Sequence, residues 1–275
     1  HTHPVAEVIV VFDQSPVDKS LEFEFRDLEI KTMENARSPG LAGARNTGIE
    51  AAASDWLAFC DDDDWWTPTK VRDQAATSDR FTKSDFVVGN ITIAYGRRRI
   101  DRTAGMDRIT FEDLLNDRIM SAHPSTFLVR RSAIEDYIGL VDENLPGGYA
   151  EAYDWLLRAA RHKPIAVSPQ QVAFVQWHKK TSFDKRWQKI DRALARLVEK
   201  TPEFRTHDEG LARILGQRAF AQAAMGDRDS ALTSVKQTVR LNWREPRAYL
   251  TIPVAVRLVS GERVVRWANR LGRSI

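Results

Sequence analysis

The sequence predicts an α/β fold, a sheet flanked by helices, with a C-terminal α-helical appendage. Apolar runs at residues 7–12 (EVIVVF) and 56–60 (WLAFC) enclose a segment of helical periodicity, the pattern of a βαβ unit. Helical periodicity dominates from about residue 184 onward. Charge divides near the same point: net −6 over residues 1–180 and net +9 over residues 181–275, within a total of +3 for 275 residues. The expected domains are therefore 1–185, the α/β part, and 186–275, the helical part.

In chain order, residues 7–12 are β-branched and end at Asp13-Gln14-Ser15-Pro16, which reads as a buried parallel strand and a turn. Ser38-Pro39-Gly40 is a loop, and Leu41, Ala44, Ile49 and Ala52 give the following helix its small, apolar face. The second strand runs straight into Asp61-Asp62-Asp63-Asp64, at the strand edge where open α/β sheets bind ligands. Residues 86–95 form a strand that enters a hairpin at Gly96-Arg97-Arg98-Arg99. A short helix over 111–116, a strand over 125–129, a helix over 153–161 and a late strand over 172–177 complete the domain. In the tail, Gly226-Asp227 separates helical runs at 211–225 and 230–241. The string GDRDSALTSVKQTVRLN resembles the second helix of a tetratricopeptide repeat. One such unit cannot make an array, which needs about three, so a helical appendage packed on the first domain is expected.

With 43% hydrophobic and 29% charged residues, composition excludes a disordered chain. The single cysteine, Cys60, excludes a disulfide framework and a Cys-rich zinc site, and it suits a reducing, cytoplasmic setting. No run approaches the roughly 20 apolar residues of a spanning helix, and nothing reads as a signal peptide.

Four consecutive aspartates cannot be a core feature, because an unpaired buried carboxylate costs several kcal/mol. On a loop after a buried strand they must be solvated, paired or bound to a cation. Mg²⁺ and Mn²⁺ prefer carboxylate oxygens, and Mg²⁺ is commonly held by one or two carboxylates plus substrate phosphates. Phe59 before the loop and Trp66-x-Pro68-x-Lys70 after it tie these acids to packed elements, which favours a metal–diphosphate bridge over a merely solvated surface.

Residues 38–74 resemble the donor-binding core of the family 2 glycosyltransferases. Gly40, Ala44-Arg45-Asn46-x-Gly48 and Phe59-x-Asp61-x-Asp63-Asp64-x-Trp66-x-Pro68-x-Lys70 match that family's pattern position by position. The resemblance extends more loosely to about residue 185. It implies the GT-A fold, a Rossmann-like mixed sheet flanked by helices, and inverting transfer of a sugar from a nucleotide-diphosphate donor to an acceptor hydroxyl. Mg²⁺ or Mn²⁺ is the implied cofactor, and a glycan or lipid-linked molecule the implied acceptor; no nucleic-acid partner is expected. By this resemblance Asp13 contacts the nucleotide base, although Phe12 and Gln14 stand where the family has Asp and Gly. Asp61 and Asp63 contact the ribose and the diphosphate-bound metal, with Asp62 and Asp64 close enough to substitute. Arg45 and Asn46 either order the donor loop or cap and pair locally at the helix start.

Downstream, Glu151, Asp154, Trp155 and Arg158 match the family's acidic acceptor motif, but its catalytic base falls on Ala152, whose methyl cannot accept a proton. Either Glu151 or Asp154 then serves as base, or the chain is a weakened nucleotide-sugar binder. At i and i+3 of a helix the two acids share a face and are expected at one pocket. His178 sits where related enzymes place a residue near the donor phosphates. His123 either lines the acceptor pocket or is structural, and Arg97-Arg98-Arg99 is either a solvated hairpin tip or a recogniser of an anionic acceptor. An aspartate-nucleophile phosphotransferase fits less well, since Ala44-Arg45-Asn46-x-Gly48 and the Trp-x-Pro-x-Lys tail have no role there. The family carries a first strand and helix ahead of the position of Glu7; six residues are too few for both, so a sheet short of one strand is expected. Finally, residues 262–275 place Val264, Trp267 and Leu271 at helical spacing with Arg263, Arg266, Arg270 and Arg273 mostly around the other side. That stripe either lies on an anionic bilayer, making the protein peripheral at the inner face of a membrane, or packs on the preceding helices.

Overall fold

The computed structural model describes residues 4–24, 28–177 and 186–270. His178 and Leu271 lie outside the described residues, as does Arg273.

The first apolar run forms β1 (Val8–Phe12), half-buried along its whole length rather than fully buried. Its partner is a parallel β2 (Ile30–Glu34), with Val8 opposite Ile30 and Phe12 opposite Glu34. Nothing in the sequence reading anticipates β2, because IKTME buries only Thr32 and carries charge at Lys31 and Glu34. Helix α1 (Leu41–Ala51) packs on β1. Gly43 is required there: a Cβ would lie 1.9 Å from the Ser38 carbonyl oxygen, so only glycine lets α1 start this close to its own loop.

The βαβ expectation needs correction. β3 (Trp56–Ala58) pairs antiparallel with a later strand, β8 (Leu128–Arg130), and not with β1. β1 and β3 thus belong to separate sheets. The larger sheet has seven strands in the order β3-β8-β5-β9-β4, where β4 is Trp65–Trp66, β5 is Phe86–Tyr95 and β9 is Ile165–Gln176. β6 (Arg98–Arg102) pairs with β5 and β7 (Arg108–Ile109) with β9. Central β5 is buried over nine of its ten residues and runs parallel to β9 but antiparallel to β6 and β8, so the sheet is mixed.

Helix α2 (Lys70–Arg80) covers β5 and β9. α3 (Phe111–Asn116) falls on its expected bounds, set by a capping box between Thr110 and Asp113. A short α4 (Arg131–Ala133) continues as one π turn to Ile138. α5 (Glu151–His162) buries Trp155 against Phe59, Phe86 and Phe127, the aromatic centre of the main core.

The tail is helical as expected: α6 (Trp187–Lys200), α7 (Asp208–Ala224), α8 (Arg228–Leu241), α9 (Pro246–Ala255) and α10 (Gly261–Arg270). Gly226, at φ +89°, turns α7 into α8, and Asp227 caps α8 by accepting from the Ser230 amide at 3.1 Å. α7 lies directly on the α/β part, where Arg213 donates to the Tyr153 hydroxyl at 2.9 Å. The tail stripe differs from its expected form. Gly261, Val264, Val265 and Ala268 face inward, and Trp267 is 56% exposed on the opposite side with the arginines. Among the described residues no helix is long and apolar enough to cross a membrane.

Candidate functional site

The site is built where β1, β3 and β9 end and where α1 and α5 begin. Asp13, the residue after β1, accepts hydrogen bonds from Asn35 Nδ2 at 2.8 Å, the Gly40 amide at 2.9 Å and Gln14 Nε2 at 3.0 Å. The bonds from Asn35 and Gln14 hold its carboxyl below the usual range. One carboxylate therefore joins the ends of β1 and β2 to the start of α1.

The four aspartates divide by a turn. The Asp64 amide donates to the Asp61 carbonyl at 3.1 Å, so Asp61 and Asp64 are brought together while Asp62 and Asp63 form the exposed tip. Ser125 orders both inner acids: its Oγ accepts from the Asp61 amide at 3.1 Å and donates to Asp64 Oδ2 at 2.5 Å. Asp64 Oδ1 accepts from the Gln176 amide, at the end of β9, at 2.9 Å. His123 Nδ1 stands 3.4 Å from Asp64 Oδ2. Burial pushes the Asp64 carboxyl up to about 6 and His123 down to about 4. The imidazole is therefore neutral at pH 7, the form that ligates metals.

Arg45 on α1 links this loop to α5. Its Nη2 donates to Asp61 Oδ1 at 2.6 Å and its Nη1 to Glu151 Oε1 at 3.0 Å. Side chains of Arg45 and Glu151 are each 8% exposed. Ala150, immediately before Glu151, has φ +67°, and Gln14, immediately after Asp13, has φ +54°. Left-handed backbone at a non-glycine residue costs about 1–2 kcal/mol, and here it falls beside two candidate site residues.

The two α5 acids do not share a pocket. Asp154 is 2% exposed and is held by Arg158 Nε at 2.9 Å and Lys200 Nζ at 2.7 Å. Lys200, 46 residues on in the chain, draws Asp154 toward the helical tail while Arg45 draws Glu151 toward the acidic loop. Ala152 packs with the main core. Asn46 is fully buried and spent on the loop after α4: it donates to the Val141 carbonyl at 2.9 Å and to Glu143 Oε1 at 2.7 Å, and it accepts from the Val141 amide at 2.9 Å. Lys70 is buried 4.3 Å over the Trp66 ring and donates to Gln74 Oε1 at 2.6 Å; burial lowers it to about 7. The Trp66 indole donates to the Phe59 carbonyl at 3.2 Å, so the Trp-x-Pro-x-Lys segment pins the acidic loop from behind.

Glu143 supports the same arrangement. Burial would raise its carboxyl, but bonds from Asn46, Arg37 and Ser38 bring it down to about 2. Depressed below its unfolded value near 4.3, this group stabilises the fold above that pH and loses its contribution as pH falls toward about 2. Glu143→Gln is expected to cost about 1–3 kcal/mol at pH 7. Thermal unfolding at a series of pH values should show that deficit shrinking below pH 4; a pH-independent deficit would contradict the assignment.

A metal fits these side chains. Ligand atoms of Asp61, Asp64 and His123 all lie within 4.8 Å of one another. Two carboxylates and a neutral imidazole suit Mn²⁺, and with water and phosphate oxygens also Mg²⁺. Of the two acids expected as metal ligands, Asp61 belongs to this cluster and Asp63 stands at the exposed tip of the loop. Sequence reasoning missed Ser125 and gave His123 no metal role; the His-Pro-Ser-Thr string, a 3-10 turn opened by His123, was the available signal.

Residues 1–138, half the chain, match the model of the family described as Glycosyl transferase family 2. The chain belongs to that family. Glu151 and Asp154 lie beyond the matched span. This family 2 chain is 31% identical over 112 residues to an Escherichia coli protein, UDP-Glc:alpha-D-GlcNAc-diphosphoundecaprenol beta-1,3-glucosyltransferase WfgD, covering 40% of the chain and 44% of WfgD. It is 28% identical over 167 residues to the uncharacterized glycosyltransferase YwdF of Bacillus subtilis (strain 168), covering 59% and 60%. The chain therefore spans about half the length of the curated relatives it matches. A crystal structure of S. aureus TarS residues 1–349 with UDP-GlcNAc superposes over 97% of this chain and 83% of that one, at TM-score 0.61 and 19% identity. The fold is GT-A, and the match includes the helical tail.

Proposed function

We propose that the protein transfers a sugar from a nucleotide-diphosphate donor to an acceptor hydroxyl with inversion, assisted by Mn²⁺ or Mg²⁺. The supporting observation is the Arg45 bridge, which holds Asp61 of the acidic loop and Glu151 of α5 in one hydrogen-bonded chain. Asp13, Asp61 and Asp62 line the donor side. Glu151 takes the acceptor proton as that hydroxyl oxygen attacks the anomeric carbon. The bond from that carbon to the diphosphate oxygen breaks, and its electron pair leaves with the diphosphate. Asp61, Asp64 and His123 would hold the metal ion, whose charge offsets that of the leaving diphosphate. Arg45 is a positioning residue: it fixes the Glu151 carboxylate and keeps it apart from Asp61.

The names of relatives support the substrate classes. WfgD is named for UDP-glucose and a diphosphoundecaprenol-linked sugar, and TarS was crystallised with UDP-GlcNAc. On that support we assign this chain a UDP-sugar donor and a lipid-linked acceptor; it would then work in the cytoplasm, peripherally at the inner face of a membrane, in polysaccharide or glycolipid synthesis. Calorimetry with UDP, GDP and dTDP tests the donor side: UDP should bind in the presence of Mn²⁺ and weakly without it. Indifferent, metal-independent binding of all three would overturn the reading. Release of UDP from UDP-glucose or UDP-GlcNAc separates an enzyme from a mere nucleotide-sugar binder.

A further inference from the structure

We propose that the solvent face of α10 and the tip of the β5–β6 hairpin form one phosphate-recognising surface that docks the protein on an anionic lipid bilayer. Helix α10 uses Gly261, Val264, Val265 and Ala268 to pack on the tail. Its opposite face is Arg263, Arg266, Trp267 and Arg270, at i, i+3, i+4 and i+7, and these four residues line a depression of about 410 Å³. Among the described residues no acidic side chain lines it. The hairpin tip supplies more cation: Arg98 Nη1 donates to the Arg270 carbonyl at 2.7 Å, joining exposed Arg97, Arg98 and Arg99 to the C-terminal end of α10 across 172 residues of sequence. Arg98 thus sets the hairpin tip against the C-terminal end of the α10 arginine row.

Two observations favour a bilayer over a dissolved anion. Trp267 stands exposed among the arginines, and an indole between cations is suited to the headgroup layer, where its ring is buried and its N–H stays wet. The surface also adjoins the candidate site. Ala94, two residues before the hairpin turn at Gly96, accepts from the Trp177 amide at 2.9 Å and from Gln176 Nε2 at 3.2 Å. The Gln176 amide in turn holds Asp64. The end of β9, whose Gln176 amide holds Asp64, is thus bonded to β5 two residues before the hairpin turn. Contact there would bring the site to a lipid-linked acceptor, and this part of the argument rests on the acceptor class proposed above.

Co-sedimentation of the full chain with phosphatidylcholine vesicles, with and without roughly 30% phosphatidylglycerol, tests the surface. Binding should require the anionic lipid and weaken from about 0.05 to about 0.3 M salt. Each arginine near the surface is worth about fivefold in affinity, so R263Q/R266Q/R270Q should bind about a hundredfold more weakly. Trp267→Ser should weaken vesicle binding while inorganic pyrophosphate binding is unchanged. UDP calorimetry on each variant checks folding and the donor reading separately: sedimentation without UDP binding leaves the docking surface standing and removes the donor. Wild-type sedimentation by the triple variant, or equal binding to neutral vesicles, would overturn the proposal. So would arginine-dependent pyrophosphate binding by a protein that ignores vesicles, which would make this a site for soluble anions.

Discussion

Replacing Glu151 by Gln should lower the transfer rate by about 10²–10⁴-fold and leave the donor KM within a few-fold. Gln has nearly the same shape and can still accept the 3.0 Å bond from Arg45 Nη1, so the bridge to Asp61 survives. What is lost is the ability to take a proton. Asp154→Asn is the necessary comparison, since the family's acidic motif offers either acid once Ala152 occupies the base position. Asp154 is committed to Arg158 and Lys200, and Lys200 is shared with Asp142 at 2.5 Å. Neutralising it should cost stability, about 1–3 kcal/mol because both cations are partly solvated, with little change in rate per folded molecule. Turnover normalised to the folded fraction, with thermal unfolding alongside, distinguishes the two. An active Glu151→Gln beside an inactive but folded Asp154→Asn would make Asp154 the base and Glu151 a structural partner of Arg45.

The strands that carry the site were legible because their sequences are apolar runs: WLAFC and the β-branched run before Asp13 announce themselves without a partner, even though β1 and β3 are largely half-buried. β2 left no such mark, since IKTME interrupts its apolar residues with Lys31, Thr32 and Glu34. The presence of a cation-binding acidic loop was readable from the cost of burying acids, but which acids face inward was decided by a four-residue turn. Asp61 and Asp64, its first and last residues, converge, and Asp63 is thrown outward. The fates of Glu151 and Asp154 depended on Arg45 and Lys200, which lie 106 and 46 residues away, and no spacing rule reaches that far. In α10, the i, i+3, i+7 stripe grouped Trp267 with Val264. The helix instead seats on its small residues: a Cβ at Gly261 would be 2.8 Å from the Ala224 Cβ, and this close approach leaves the indole outside.

Asp64→Asn should remove the Mn²⁺-dependent part of UDP binding, at least about a hundredfold, since even outer-shell partners of a metal site cost 10–100-fold when removed. Asp63→Ala should cost much less. The contrast follows from the turn: Asp64 and Asp61 present oxygens within 4.8 Å of each other and of a His123 nitrogen, while Asp63 is exposed at the tip. Asn at position 64 keeps the volume and one oxygen, so either the Ser125 or the Gln176 contact persists and the loop should remain ordered. The charge that would face the cation is gone. Titration of UDP with and without Mn²⁺, together with the loss of the free Mn²⁺ electron-spin signal on addition of protein, reads binding without reference to turnover. If Asp64→Asn takes up Mn²⁺ and UDP like the unaltered protein while Asp63→Ala does not, the ion belongs at the tip of the loop on Asp61 and Asp63. Ser125, Gln176 and His123 would then only brace a buried acid.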